Sequence, residues 1–287
     1  MNRVERVLLD SHKALVGVSL YNYSPSFVEI VGHLGFNVLW IEMEHASLSF
    51  SQASDLCRIA SGFGLLTMIR IPNSNRENVL RAAECGADIL DLPMGNEPED
   101  LRNLVLHARY APEGKRGFFG SSRAVRYGIF GSIAEEQRRV NRDLCLMAQV
   151  ETQEAVNRLD ELCGVSGIDA IFIGPGDLSS SFGVTGELNH RKVSDAVDRI
   201  IHSAKQHGKR VAVACRAADA ARFVRRGADI LFCGSDISCL KSGAQEILRK
   251  FGNGRSCNTT APDAHPSQSR TLPPVGVNRH VLLPNSR

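Results

Sequence analysis

Apolar and polar positions along the chain alternate between two kinds of segment. Short, nearly continuous apolar runs lie at Val16–Leu20, Val38–Glu42, Leu66–Arg70, Asp88–Leu92, Leu146–Val150, Asp169–Ile173, Val211–Cys215 and Asp229–Cys233. Runs of this length, apolar on both faces, predict strands of a parallel sheet. Between them are stretches with apolar residues every three or four positions, among them Asn75–Cys85, Pro98–Arg109, Arg191–His207 and Ala217–Arg226. These predict amphipathic helices. Eight strand–helix units fit a (β/α)8 TIM barrel better than an open sheet. A faint internal echo supports repeated units, since Gly86-Ala87-Asp88 and Gly227-Ala228-Asp229 each precede a strand. The connection between the fourth and fifth strands is long, running through Tyr110–Gly117 and Ser121–Arg123 to a helix at about Ser132–Arg142. Long ordered loops on barrels tend to carry function, so this one is expected to line the mouth of the site. From Gly252 the composition turns to Pro, Ser, Asn, Thr and Arg without periodicity. The expected organisation is a barrel domain over residues 1–251 and a disordered tail over 252–287.

Composition narrows the class. An apolar fraction of 43% with 23% charged residues is that of a soluble globular protein. No apolar stretch nears the roughly 18 residues of a membrane span. Met1–Arg6 opens a polar helix without a secretory core, so a cytoplasmic protein with no membrane partner is expected. The net charge of +3 resides in the tail, where Arg255, Arg270, Arg279 and Arg287 face Asp263 alone (4 − 1 = +3). The remaining residues balance, 30 against 30, which argues against a nucleic-acid partner. The eight cysteines contain no C-x-x-C pair and mostly sit in apolar runs, where they pack as small hydrophobes.

Strand ends supply the candidate chemistry, because side chains at the C-terminal ends of barrel strands gather around one site. Glu151 follows the fifth run and Asp177 follows the sixth, after Gly174-Pro175-Gly176. Two carboxylates from neighbouring strands can hold Mg²⁺ or Mn²⁺. Such a cation stabilises the enolate formed when a proton leaves the carbon next to a ketone. Arg70, ending the third run, can bring a second positive charge to the same oxygen. The amides of the Gly174–Asp177 turn open a helix and could hold a substrate carboxylate, with the glycines allowing close approach. Plainer roles stay open. Glu151 and Asp177 could cap helices, Arg70 could be a structural ion-pair partner, Glu84 helix surface, and Arg116 a brace for its loop. No predicted strand contains lysine, which excludes a barrel-strand Schiff base.

The ordered set Glu42-x-Glu44-His45, Arg70, Pro93-Met94, Pro112-x-Gly114-x-Arg116-Gly117, Gln149-Val150-Glu151-Thr152 and Gly174-Pro175-Gly176-Asp177-Leu178-Ser179 resembles the HpcH/HpaI aldolase family. These are class II, metal-dependent pyruvate aldolases of the 4-hydroxy-2-oxoheptanedioate and 2-dehydro-3-deoxyglucarate aldolase type, with barrels of the phosphoenolpyruvate/pyruvate-binding kind. The likeness spans about residues 10–251. It implies Glu151 and Asp177 as ligands of a divalent metal (Mg²⁺, or Mn²⁺ or Co²⁺), and a 2-oxo acid chelating that metal. It implies His45 as the base, acting through metal-bound water, with Glu84 orienting it. Arg70, Gly174, Pro175 and Gly176 would then bind substrate, with Arg123 and Tyr127 at the mouth. The family commonly has Asp where this chain has Glu42 and Glu84. The implied reaction cleaves or forms a 4-hydroxy-2-oxo acid through a metal-bound pyruvate enolate, in a homo-oligomer, a hexamer in relatives. Two alternatives stand beside it: a condensing enzyme on the same fold, such as a siderophore-pathway citrate synthase using oxaloacetate and acetyl-CoA, and a non-catalytic barrel that binds a keto acid.

Overall fold

In the computed structural model, which describes residues 1–253, eight parallel strands close into a barrel in chain order. They are β1 (Leu15–Leu20), β2 (Val38–Glu42), β3 (Leu66–Arg70), β4 (Ile89–Leu92), β5 (Cys145–Val150), β6 (Ala170–Ile173), β7 (Arg210–Ala214) and β8 (Ile230–Ser235). Pairing of β1 with β8 completes the ring. Each strand begins and ends within two residues of the run that predicted it. Helices alternate with the strands, so the chain is a (β/α)8 barrel. The first compact unit is Met1–Gly243, and a second begins at Ala244, within the last helix, Asp236–Asn253. The expected disordered tail lies, from residue 254, outside the described residues.

The alternation of side chains along each strand sorts the core into two shells. Inward-facing residues pack together in the barrel: Val38 and Trp40, Leu66 and Met68, Cys145 and Met147, Phe172, and Phe232. Val4, from the helix Arg3–Ser11, joins this inner set. Residues of opposite parity, such as Leu39, Ile41, Ile69, Leu90, Leu146 and Ile171, pack in the outer shell with the helices. Trp40, Phe172 and Phe232 meet with ring centroids 5.2–5.5 Å apart. Each such pair is worth about 0.5–1.5 kcal/mol beyond its buried area.

One repeated device explains the echo in the sequence. Asp88 accepts from the Thr67 amide (2.9 Å), Asp169 from Leu146 (2.8 Å) and Asp229 from Val211 (2.7 Å). Asn37 does the same for Val16 at 2.9 Å. In each case the polar residue just before one strand satisfies the amide at the start of the preceding strand. That fixes the register of the pair and satisfies a backbone donor at the sheet's end.

Continuing the inward parity past the aromatic layer turns the barrel polar. Glu42 lies opposite Arg70, and Arg70 opposite Asp91, in the strand registers. Among the described strands none contains lysine.

Candidate active site

The C-terminal end of the barrel opens into a cavity of about 850 Å³. Its walls include His45, Arg70, Gln149 and Asp177, with Trp40, Phe172 and Phe232 among its apolar lining. The strand-end residues His45, Arg70, Gly174 and Asp177 reach this rim.

Arg70 is 4% exposed and held on three sides. Its Nε donates to Glu42 Oε2 at 2.6 Å, its Nη1 lies 3.2 Å from Glu44 Oε2, and its guanidinium sits 4.9 Å from the Trp40 ring centroid. The other oxygen of Glu42 accepts the backbone amides of Glu44 (2.7 Å) and His45 (3.0 Å). One fully buried carboxylate therefore shapes the turn that carries His45 and aims Arg70. Arg70 also lines the cavity, where its guanidinium can meet a ligand. His45 is exposed at the rim, its Nε2 3.5 Å from Glu44 Oε2. Burial pushes the Glu44 carboxyl up, with Arg70 and His45 pulling the other way.

Glu151, just past β5, is 2% exposed. Its oxygens accept from the Met94 amide (2.9 Å) and from Gln149 Nε2 (2.6 Å). Burial pushes its carboxyl up to about 7, the Met94 amide opposes this, and the charge of Asp177 adds to it. Asp177 is exposed, in the first turn of the helix Pro175–Ser181. A Cβ at Gly174 would stand 2.5 Å from Glu151 Oε2, so a glycine is required there for the carboxylate to occupy its place. Among the described residues no group of three or more His, Cys, Asp and Glu side chains converges on one point. Glu151 and Asp177 lie near enough for the charge of Asp177 to act on the Glu151 carboxyl, and Mg²⁺ normally keeps several waters and takes substrate oxygens beside its protein ligands.

The structure corrects two expectations. Glu84 ends the helix Arg76–Glu84, which returns from the end of β3 to the opposite end of the barrel. There its Oε1 accepts from Arg116 Nη2 (2.8 Å) and Nε (3.2 Å). Within one chain it therefore does not orient His45, whose acidic neighbour is Glu44. Arg123 lies at the same far end, beside Gly86 and donating to Ser61 Oγ at 2.8 Å, in a separate cavity of about 380 Å³ that Tyr127 also lines. Neither lines the mouth in this chain. The cause is topological: the long loop follows the helix Pro98–Ala108, so it emerges where strands begin. Arg116, as the plainer reading had it, braces this loop, stacked 4.6 Å from the Tyr110 ring centroid.

Glu44 and Gln149 stood in the sequence motifs without an assigned role, and Tyr21 and Asp91 were not marked at all; Tyr21 and Gln149 line the cavity. Asp91 is fully buried in β4, and neither of its oxygens has a hydrogen-bond partner. Burial pushes its carboxyl well above the usual range, against the pull of Arg70 and with Glu151, Glu42 and Glu44 adding to the rise. Parity was the available signal, since Asp91 shares the inward face with Ile89.

Comparison with known proteins agrees with this geometry. The model of the HpcH/HpaI aldolase/citrate lyase family matches residues 17–242. The 5-keto-4-deoxy-D-glucarate aldolase of Enterobacter sp. (strain 638) is 30% identical over 229 residues, covering 79% of this chain and 88% of that protein. The HpcH/HpaI aldolase of Desulfitobacterium hafniense DCB-2 superposes with a TM-score of 0.82 at 28% identity, covering 88% of this chain and 98% of that one. The citrate synthase SbnG shares the fold, with a TM-score of 0.79 at 20% identity, 88% of this chain and 98% of that one being covered. With a family match across most of the barrel and a cavity lined by the family's strand-end motifs, the chain belongs to the HpcH/HpaI aldolase/citrate lyase family and is a carbon–carbon lyase.

Proposed function

We propose that the protein catalyses the reversible aldol cleavage of a 4-hydroxy-2-oxo acid to pyruvate and an aldehyde, with a divalent metal held by Glu151 and Asp177. The observation that carries this reading is an excess of acid around one arginine. Glu42, Glu44, Asp91, Glu151 and Asp177 surround Arg70, and the charges of the buried acids act on one another. Arg70 is already paired with Glu42 and Glu44, so its single charge does not offset this many acids. A hard divalent cation with oxygen ligands is what this donor set fits. When bound, it supplies Lewis-acid stabilisation of charge on the keto oxygen.

The protein's own groups then divide the remaining work. His45 takes the proton from the C4 hydroxyl, and the C3–C4 bond breaks to release the aldehyde. The bond's electrons pass to C3 and the keto oxygen, where the Arg70 guanidinium provides a fixed donor. Trp40, Phe172 and Phe232 offer an apolar surface to the carbon chain. The first-turn amides of Gly176 and Asp177 have no acceptor within their helix and suit the substrate carboxylate. A proton returned to C3 gives pyruvate.

We also propose that Glu84 and Arg123 act on a second copy of the chain, because in their own chain they face the far end. A homo-oligomer suits this arrangement. The test of function is product analysis with Mg²⁺, Mn²⁺ or Co²⁺. The reading expects pyruvate from 5-keto-4-deoxy-D-glucarate, the acid that names the Enterobacter relative, or aldol products from pyruvate with aldehydes. Citrate from oxaloacetate and acetyl-CoA, without aldol turnover, would replace it with the condensing alternative.

A further inference from the structure

Two cysteines on the wall of the catalytic cavity stand apart from the others. Cys57, Cys85, Cys145 and Cys163 are buried, and burial pushes their thiols up. Cys215, immediately after β7, and Cys233, in β8, are part-exposed; both residues contribute to the wall of the cavity that holds Arg70 and Asp177, and both pack against the outer shell of the barrel. Their sulfurs are 3.7 Å apart. They sit on neighbouring strands in continuing register, since Ala214 pairs with Phe232 and the Cys215 amide donates to Phe232 O at 3.0 Å. Neighbouring strands lie about 4.8 Å apart, inside the Cα spacing a disulfide spans. Either sulfur can donate to the other, and a donated S–H favours the thiolate of the sulfur that accepts it.

We propose that Cys215 and Cys233 are an oxidant-sensitive dithiol, converted by hydrogen peroxide to a disulfide that reversibly slows the enzyme. The steps balance. The thiolate of one cysteine attacks peroxide, the O–O bond breaks, and with one proton taken up a sulfenic acid and water form. The sulfur of the other cysteine then attacks the sulfenic sulfur, expelling the second water. Overall two thiols and one H₂O₂ give one disulfide and two H₂O. Closing the sulfurs to the bond length of about 2.05 Å draws them together by roughly 1.7 Å. The strand ends can yield, because Gly234 follows with φ of +93° and the β1–β8 register shifts between Gly17 and Ser19, beside this point. The movement displaces the cavity wall that carries Ala214, Arg216 and Gly234. The loss of activity rests on the proposed placement of substrate in this cavity, whereas formation of the bond does not.

The experiment treats the full-length protein with hydrogen peroxide, then quenches and digests it without reductant. The expected result is a product 2 Da lighter, with Val211–Arg216 joined to Gly227–Lys241 through Cys233 rather than Cys239. The accompanying kcat/KM is expected to fall about tenfold or more and to return with dithiothreitol. Cys215→Ser and Cys233→Ser, each compared with its own untreated rate, should lose this reversible response. Absence of the Cys215–Cys233 link, or oxidation only to sulfinic and sulfonic acids, overturns the dithiol. A formed link with unchanged kcat/KM overturns the regulatory effect and also counts against substrate binding at this wall.

Discussion

Replacing Gly174 by alanine tests the metal site through a single methyl group. Its backbone, at φ −98° and ψ 84°, lies outside the region reserved for glycine, so the clash alone matters. The added Cβ would stand 2.5 Å from Glu151 Oε2, 2.9 Å from Gln149 Nε2 and 3.1 Å from Glu151 Cβ. Ordinary contact begins at 3.4 Å, so the carboxylate must withdraw by 3.4 − 2.5, or about 0.9 Å. That breaks the 2.6 Å bond from Gln149 and moves one of the two proposed donors away from Asp177. A displacement near 1 Å at a reacting centre costs on the order of 10²-fold in rate. Disturbed metal ligands lose about 10–100-fold in affinity. Calorimetric titration with Mn²⁺ should therefore show dissociation weakened at least tenfold, with kcat/KM down about 100-fold. The melting temperature of the metal-free protein should fall by only a few degrees, since the clash is with the end of a side chain. Gly174→Ala with wild-type metal affinity and turnover would refute Glu151 as a ligand.

Other perturbations separate the remaining roles. Arg70→Lys should cut kcat by about 10²-fold, the scale of losing an oriented donor, while metal affinity measured by calorimetry stays near wild type. Asp91→Asn should raise the melting temperature at pH 8. The folded-state carboxyl is raised above its usual value of 3.8, so ionisation of the unfolded chain opposes folding as pH climbs past that value. The advantage of the variant should shrink toward pH 4, and a pH-independent difference would contradict it. Metal affinity should decline below about pH 7, where Glu151 gains a proton, and a flat profile from pH 6 to 8 would count against its titration there. Mixing His45→Ala with Glu84→Gln after partial dissociation should restore activity above either alone if Glu84 serves a neighbouring copy. No recovery would leave it as the partner of Arg116.

The barrel was legible because strands buried on both faces read as continuous apolar runs, while the helices between them show a different period. Position at the barrel's C-terminal rim was legible where a residue ends a strand, as at Arg70, or follows one closely, as at Asp177. Two failures share one cause. Glu84 and Arg123 were placed by motif, although Glu84 ends a helix and Arg123 follows one, and after a helix the chain is at the strand-starting end of the barrel. Asp91 was hidden differently, by sitting inside a strand whose apolar neighbours concealed the inward direction of its side chain. Glu44 was visible but overshadowed by Glu84, because only coordinates show that the turn held by Glu42 brings His45 beside it.

Exchange of the pyruvate methyl protons in deuterated water, followed by proton NMR, tests the central claim most directly, since it needs the base, the cation and nothing of the acceptor. The account predicts exchange with Mg²⁺, Mn²⁺ or Co²⁺, its loss on chelation and return on metal addition, and its absence in folded Asp177→Asn. Exchange that persists in chelator, or fails with all three metals, would contradict it.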